Sequence, residues 1–279
     1  MNRVYPGSFC HKLEKKTGCG ILRKWKDWSA RAIVGCILFL GAAGVFWNAK
    51  TVFNENVYVW KEEQERKLPI YCVDTKNKVL ALTFDVAWGN EDMEEILKIL
   101  KKEKVEGTFF FSGEWMEKYP EDVKKVSDAG HDIGNHGDHH KYMTKLSKED
   151  QITEIRRAGD KAKALLGSSM ELFRPPYGDY DSQVVETAEE MGYYVIQWSV
   201  DSLDWMEPGA DAVIEKVCGH KNLKSGAIIL LHTGTLCTRE ALGPMIRKLK
   251  KQGYGFVPVS DLIYRKNYRI RPDGTQVRN

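Results

Sequence analysis

Short apolar runs alternate with amphipathic segments along most of the chain after residue 69. Seven of these runs predict β-strands, at residues 79–84, 108–111, 131–135, 171–173, 194–198, 227–231 and 254–257. Helical periodicity lies between most of them, with one helix after a candidate N-cap at Asn90, one from Ser147 to Gly167 and one over residues 241–251. Alternating strands and helices predict an α/β fold with a parallel sheet. Seven units suit a closed or nearly closed barrel, but the pattern is equally compatible with an open, doubly wound sheet.

A different pattern precedes these units. Residues 32–49 form an uncharged run of 18 residues, which is just long enough for a helix to cross the ~30 Å hydrocarbon core of a bilayer. Tryptophans flank the run, at positions where amphipathic rings favour the membrane interface (Trp25, Trp28 and Trp47). We predict an uncleaved transmembrane anchor at 32–49; a buried core helix and a cleaved signal peptide are the alternatives.

The distribution of charge predicts the orientation of this anchor in the membrane. Residues 1–31 have a net charge of +6, whereas the remainder of the chain has a net charge of −3. The positive-inside rule predicts that 1–31 is a cytoplasmic head and that everything after the anchor lies outside the cell membrane. The outer part divides into a polar stalk at 50–67, a globular domain at 68–265 and a C-terminal tail at 266–279.

Charge and cysteine spacing argue against three kinds of protein. The mildly acidic globular part has no basic face, so we expect no nucleic-acid partner. The six cysteines show no CxxC or CxxH spacing, which argues against a disulfide framework and against a zinc knuckle.

Ionisable residues follow five of the predicted strands. They are Asp85, His136, Arg174, Asp201 together with Asp204, and His232. The carboxyl ends of parallel strands converge on one rim, which is where α/β folds place their active sites. Five strand ends that carry ionisable groups therefore predict an enzyme.

Two histidines make the predicted chemistry more specific. His136 and His140 are four residues apart, which in a helix is one turn, so both imidazoles can face one divalent metal ion. Asp85 and His232 supply a candidate base and a candidate acid, the arrangement that metal-assisted hydrolysis needs. Neither a GxSxG nucleophile motif nor a P-loop occurs in the chain.

Five motifs in order resemble those of the polysaccharide deacetylases, which are carbohydrate esterase family 4 with its NodB-homology domain. They are TFD at 83–85, HGDHH at 136–140, RPPYG at 174–178, DSLDW at 201–205 and LLH at 230–232. The resemblance covers about residues 68–265 and implies a distorted (β/α)7 barrel. It also implies removal of acetyl groups from β-1,4-linked sugars in an acetylated glycan, such as peptidoglycan or chitin. The start of the domain is most similar to the sporulation-associated, membrane-anchored branch of the family.

The resemblance implies four catalytic roles. Asp85 is the implied general base, and Arg174 orients it through an ion pair. His232 is the implied acid that protonates the leaving amine, and Asp204 tunes it.

The resemblance also implies a metal site and a substrate pocket. His136 and His140 are the implied ligands of a divalent metal, zinc first, with cobalt or nickel as alternatives. The backbone N–H of Tyr177 would help to hold the oxyanion. Trp205 and Leu230 would form the walls of the acetyl-methyl pocket.

Three positions depart from the family pattern. Val86 stands where a third metal ligand, an aspartate, is usual, while Gly137 and Thr233 replace a Ser/Thr and an Asp. Either Asp138 or Asp85 is a candidate to complete the metal site. We expect a deacetylase with an incomplete metal site, active on wall or spore-cortex glycan. The alternative is a non-catalytic protein that binds glycan in the same groove.

Overall fold

The computed structural model describes residues 66–279, which form one compact unit. The predicted head at 1–31, the anchor at 32–49 and most of the stalk lie outside the described residues. Among the helices of 66–279, none combines the length and the apolar composition needed to span a bilayer.

Eleven strands are present in the described part of the chain. They are β1 (Cys72–Val73), β2 (Val79–Val86), β3 (Thr108–Phe111), β4 (Asp132–Asn135), β5 (Leu172–Phe173), β6 (Tyr194–Val195), β7 (Val200–Asp201), β8 (Ile228–His232), β9 (Gly255–Phe256), β10 (Tyr268–Ile270) and β11 (Thr275–Arg278). The main sheet is parallel throughout, in the order β6-β5-β4-β3-β2-β8-β7, and β9 pairs with the start of β2. This half-barrel of parallel strands agrees with the predicted (β/α)7 architecture.

Eight α-helices connect these strands within residues 66–279. They are α1 (Met93–Glu103), α2 (Gly113–Lys118), α3 (Pro120–Asp128), α4 (Lys148–Leu166), α5 (Ser182–Glu190), α6 (Ala210–Cys218), α7 (Leu236–Lys251) and α8 (Val259–Leu262). The predicted boundaries of α4 are confirmed. The Ser147 hydroxyl accepts a hydrogen bond from the Asp150 N–H at 3.2 Å, and Gly167 ends the helix with φ of 72°.

Two other helix starts were predicted wrongly. The N-cap of α1 is Asp92 and not Asn90, whose side chain instead donates to Asp122 at 2.7 Å. Helix α7 begins five residues before the predicted position 241, because the Thr235 hydroxyl accepts from the Thr238 N–H and caps an earlier first turn. Pro244 lies inside this helix.

The sheet separates two apolar layers. Alternate residues of β2 (Leu80, Leu82 and Phe84) pack outward in a cluster with α1, α3 and α7, whereas Ala81 faces an inner cluster with Phe110. The inner face of β2 then continues to Asp85 at the rim. The barrel interior is therefore apolar away from the rim and contains charged side chains near the rim.

The first residues of the described chain bridge the open side of the barrel. Strands β6 and β7 end the sheet and do not pair with each other. Ile70 pairs with Ile196 beside β6, and Cys72 pairs with Ala227 beside β8, so residues 70–73 lie between the two sides. The segment 70–73 was not predicted as a strand, because its apolar run is too short to show a period.

The C-terminal residues belong to the folded unit and do not form a separate tail. Strands β10 and β11 form an antiparallel hairpin, and β11 pairs in parallel with β1. Gln276 is fully buried there; its amide accepts from the Tyr264 N–H and donates to the Tyr264 carbonyl, both at 2.8 Å.

We predict that Gln276→Ala lowers the free energy of unfolding by about 2–3 kcal/mol, because it leaves both Tyr264 backbone groups without their partner. Gln252→Ala is the matched control, since Gln252 is exposed and makes one long hydrogen bond at 3.4 Å; it should change stability by less than about 0.5 kcal/mol. Urea unfolding followed by circular dichroism measures both. Equal stability of the two variants would show that the hydrogen bonds between Gln276 and Tyr264 do not stabilise the fold.

Candidate active site

The deepest part of the candidate site is an ion pair between Asp85 and Arg174. Asp85 lies near the end of β2, and its Oδ1 accepts from Arg174 Nη1 at 2.7 Å. The Arg174 side chain has no exposed surface; its guanidinium lies over the Phe110 ring at 4.2 Å and donates to the Gln197 carbonyl at 3.2 Å. Burial alone would raise the pKa of Asp85, but the charge of the Arg174 guanidinium outweighs burial and lowers it. Asp85 is therefore ionised at neutral pH.

The two predicted metal ligands lie on a loop after β4. The His136 and His140 rings are 4.9 Å apart, so the structure brings them together. The prediction of a helical turn between them is wrong: Gly137 and His140 have φ of 73° and 51°, and residues 136–141 form no helix. Left-handed backbone at Gly137 explains why a glycine occupies this position.

A buried carboxylate on α4 holds this loop. Glu154 accepts from the backbone N–H groups of Asp138 and His139, at 3.1 and 2.8 Å, and from the Lys141 ammonium at 2.9 Å. Glu154 was missed by the sequence reasoning, because it lies in no motif and its helical position alone gives no signal of this contact.

His136 and His140 are uncharged at neutral pH. Burial lowers the pKa of His136, and burial together with His136 lowers the pKa of His140 to about 3. The Arg174 carbonyl lies 2.7 Å from His136 Nδ1 and can only accept, so this nitrogen carries the proton. The His136 Nε2 electron pair therefore faces Asp85 Oδ2, at 3.5 Å.

A second buried pair, between His232 and Asp204, involves the neighbouring strand. His232 ends β8 directly opposite Asp85 in the strand register. Its Nδ1 donates to Asp204 Oδ1 at 2.7 Å, and its backbone N–H donates to Asp204 Oδ2 at the same distance. The Trp205 N–H and the Thr238 hydroxyl also donate to Asp204, which is fully buried.

This environment favours the charged form of His232. Burial opposes the imidazolium, but the hydrogen bond to Asp204 and the charge of its carboxylate outweigh burial and raise the pKa of His232. Because Nδ1 is committed to Asp204, the exchangeable proton is on Nε2.

The predicted substrate-binding residues occupy different depths. Leu230 is buried in β8 and lies on the same strand face as His232, two residues below it. Tyr177 and Trp205 are half exposed, at 52% and 55%, so both lie on the rim and not in a closed pocket. Trp88 also lies on the rim, with its ring 5.4 Å from His140 and 6.0 Å from His232.

Comparison with known proteins assigns the chain to a family. A family model described as "Polysaccharide deacetylase" matches residues 73–196. The chain is 35% identical over 204 residues to peptidoglycan-N-acetylmuramic acid deacetylase PdaA of Bacillus subtilis, which covers 72% of this chain and 77% of that protein. It is 38% identical over 200 residues to a peptidoglycan-N-acetylglucosamine deacetylase of Bacillus cereus, which covers 70% and 92% of the two chains. The chain belongs to the polysaccharide deacetylases of carbohydrate esterase family 4.

Solved structures of this family include one without activity. A pseudoenzyme of carbohydrate esterase family 4 from Bacillus anthracis is 34% identical, with a TM-score of 0.67 over 76% of this chain and 73% of that one. A variant of that pseudoenzyme with restored activity is 36% identical, again with a TM-score of 0.67, over 70% of each chain. Membership of the polysaccharide deacetylases therefore does not by itself establish activity.

The polysaccharide deacetylase family implies a divalent metal, and this site offers an incomplete set of ligands for it. Within residues 66–279, no group of three or more His, Cys, Asp or Glu side chains is placed to hold a metal ion. Yet His136 Nε2 and Asp85 Oδ2 are two electron-pair donors that face each other, with a second neutral imidazole from His140 nearby. These donors fit a divalent cation, with one dedicated ligand fewer than the three of catalytic zinc sites.

The structure also shows why no third ligand is present. Val86 is the last residue of β2 and is fully buried in the outer apolar cluster with Phe84. The alternative that Asp138 completes the site does not fit, because Asp138 Oδ1 accepts from Lys161 Nζ at 2.7 Å beneath α4. Asp85 is then the remaining candidate among those considered from the sequence.

We predict that Asp204→Asn lowers the pKa of His232 below its ordinary value. Burial lowers this pKa, and the variant removes the Asp204 carboxylate charge that raises it. The raised pKa of His232 in the native protein means that the ion pair stabilises the fold below about pH 6.5 and that this contribution is lost as pH rises through the raised value. The stability lost in Asp204→Asn should thus be larger at about pH 5 than at about pH 9.

The His232 ring proton, followed by NMR across this pH range, measures the pKa directly. Asp261→Asn is the control, since Asp261 is exposed on α8 and should leave the titration unchanged. An unaltered His232 titration in Asp204→Asn would mean that Asp204 does not control its charge.

Proposed function

We propose that this protein hydrolyses acetyl groups from N-acetylated cell-wall glycan of the peptidoglycan type. One observation carries the proposal: a carboxylate and an imidazole stand in register on adjacent strands, and each is held by a buried, oppositely charged partner. Asp85 has Arg174, and His232 has Asp204. Hydrolysis of an amide needs a base for the attacking water and an acid for the leaving amine, and this pair supplies both.

Asp85 acts as the base in this proposal. Arg174 holds one carboxylate oxygen, so the other, Oδ2, is the oxygen that takes the proton of the attacking water. Arg174 also keeps Asp85 ionised, which is the form a base requires. The geometry restricts Asp85 to one orientation and so avoids an entropic cost during attack.

His232 acts as the acid. Its raised pKa keeps a proton on Nε2, while the bond from Nδ1 to Asp204 fixes the ring and stabilises the positive charge. Transfer of the Nε2 proton to the leaving nitrogen releases a free amine on the sugar and acetate. Leu230, on the inner face below His232, is placed to contact the acetyl methyl group, and the Tyr177 N–H is the proposed donor to the oxyanion.

His136 and His140 would hold a divalent metal, zinc first and cobalt or nickel as alternatives. When bound, the metal polarises the carbonyl and activates water. Neutral imidazoles are the form that binds metal, and the low pKa of His140 keeps it in that form. With two imidazoles and a shared carboxylate, binding should be weaker than in sites with three ligands.

A non-catalytic glycan-binding protein is the second candidate. The missing ligand at Val86 and the similarity to a pseudoenzyme favour it, as do the exposed rings of Trp88, Tyr177 and Trp205. Such a protein would bind wall polymer tightly and release no acetate.

The deciding experiment measures acetate released from peptidoglycan and from chitin oligomers, with and without added Zn²⁺ or Co²⁺. We expect release that depends on added metal, and a loss of about 10²–10⁴-fold in His232→Ala, the usual contribution of a general acid. A His232→Ala rate within a few-fold of the native rate would assign the acid elsewhere. Glycan binding without acetate under any of these conditions would establish the second candidate.

We predict that Val86→Asp tightens metal binding and raises the rate. Residue 86 adjoins Asp85, so a carboxylate there that turns toward His136 and His140 adds the third ligand and frees Asp85 to act as base. Without metal the variant should be less stable than the native protein, because an unpaired carboxylate in an apolar cluster is costly. Bound metal should restore that stability.

Zn²⁺ titration by calorimetry, thermal unfolding with and without Zn²⁺, and acetate release test this prediction. Val86→Asn is the matched control, because asparagine has nearly the same shape as aspartate but carries no charge. If Val86→Asp and Val86→Asn bind Zn²⁺ with equal affinity, residue 86 does not reach the metal.

We also propose that residues 32–49 anchor the protein in the cell membrane with residues 66–279 outside, where the glycan is. The +6 charge of residues 1–31 supports this orientation. A reporter fused after residue 60 should be accessible to protease in intact protoplasts; a protected reporter would contradict the topology.

A further inference from the structure

The large apolar side chains that are exposed in residues 66–279 gather at one end of the barrel. They are Trp88, Tyr142, Tyr177, Trp205, Met206 and Leu236. Each lies on a loop, or at a helix start, that follows the carboxyl end of a strand, the same rim that holds Asp85 and His232. A concentration of exposed apolar surface on one rim is typical of a binding groove.

Two of these side chains form a preformed aromatic surface. The Tyr142 and Tyr177 rings are nearly parallel, with centroids 4.1 Å apart and an interplanar angle of 11°. Tyr177 in turn meets the His140 ring edge-on, with centroids 4.5 Å apart. A continuous row of rings therefore leads from His136 and His140, beside Asp85, outward to Tyr142.

The loops that carry the two tyrosines are joined to each other. The Thr144 N–H and hydroxyl, two residues after Tyr142, donate to the Asp179 carboxylate at 2.8 Å. Asp179 lies two residues after Tyr177, whose φ of 60° is a left-handed conformation rare for a tyrosine. Strained backbone and cross-loop hydrogen bonds hold the aromatic surface in place before any ligand binds.

We propose that Tyr142 is the platform of a further sugar subsite, so that the protein binds a β-1,4-linked glycan of at least two sugars and not an isolated sugar. This inference rests on the proposed function for the class of ligand. The sugar whose acetyl group reaches Asp85 lies beside His140 and Tyr177, and a neighbouring sugar stacks on Tyr142.

The chemistry of the platform selects a carbohydrate. Tyr142 is 52% exposed, so its flat, electron-rich ring face is open on the side away from Tyr177. The C–H groups on one face of a pyranose carry partial positive charge and match this surface, while the sugar hydroxyls remain in water. Continuity with the row of rings that starts at His140 places the platform on the path of a polymer through the site.

The test measures binding of N-acetylglucosamine oligomers of one to five sugars to the full chain in detergent micelles. Calorimetry on proteins that carry His232→Ala avoids turnover, so the result does not depend on whether the native protein releases acetate. Tyr142→Ala is compared with Tyr142→Phe, which keeps the ring and removes the hydroxyl.

We expect Tyr142→Ala to weaken binding of oligomers of two or more sugars about 5–10-fold, a typical contribution of one aromatic contact. Binding of one sugar should change by less than about twofold, and Tyr142→Phe should behave like the parent protein. Unchanged melting temperatures will show that the folds are intact.

Three results would overturn the inference. They are an equal effect of Tyr142→Ala at every oligomer length, no effect at any length, or no binding of any oligomer by the parent protein. The first would show that Tyr142 only supports Tyr177. Length-dependent binding without acetate release from the native protein would instead support the subsite and contradict deacetylation.

Discussion

The buried ion pair between Arg174 and Asp85 is the interaction on which the candidate site depends. Arg174 crosses the upper barrel interior beneath the rim and contacts several strands: its guanidinium holds Asp85 on β2, its N–H donates to the Asn135 carbonyl on β4, and its own carbonyl fixes the His136 ring. A charge in this position requires its partner, because removal of one member of a buried pair typically costs about 3–5 kcal/mol. The same contacts therefore stabilise the barrel and orient the reactive groups.

The loops above this pair depend on buried carboxylates rather than on regular structure. Asp204 accepts four hydrogen bonds and Glu154 accepts from the loop of His136 and His140, so irregular backbone near the rim has partners for its N–H groups. Buried acceptors of this kind hold a loop in one conformation. Asp85, His232 and the imidazoles of His136 and His140 are thus placed by contacts with other parts of the protein.

At position 86, apolar packing of the fold and ligation of a metal favour different side chains. Val86 contributes to the outer apolar cluster, where a carboxylate would be unfavourable without a cation, and the rest of the site is built around Asp85. This chain therefore keeps Asp85, His232 and the groove while Val86 supplies no metal ligand. The related pseudoenzyme and its reactivated variant are consistent with this separation of fold from function.

Seven of the strands, the helices between most of them and the ionisable residues at the strand ends were predictable from the sequence alone, whereas the short strands β1, β7, β10 and β11 were not predicted. Apolar runs and local caps such as Ser147 depend on neighbours within a few residues, so they can be recognised without the fold. The convergence of Asp85, Arg174 and His232 was also predictable, because parallel strands end on a common rim. The choice of a barrel over an open sheet was left open by the same patterns.

Only the tertiary structure decided the remaining features, and each rests on contacts between residues far apart in the chain. Residues 70–73 bridge the barrel by pairing with Ile196 and Ala227, and the hairpin at 268–278 pairs with β1. The loop of His140 is fixed by Glu154 on a later helix, and Asp138 is paired with Lys161 on that helix. No local sequence pattern encodes these contacts. The hydrogen-bond partner of each polar group depends on which residues the packed helices and strands bring close to it.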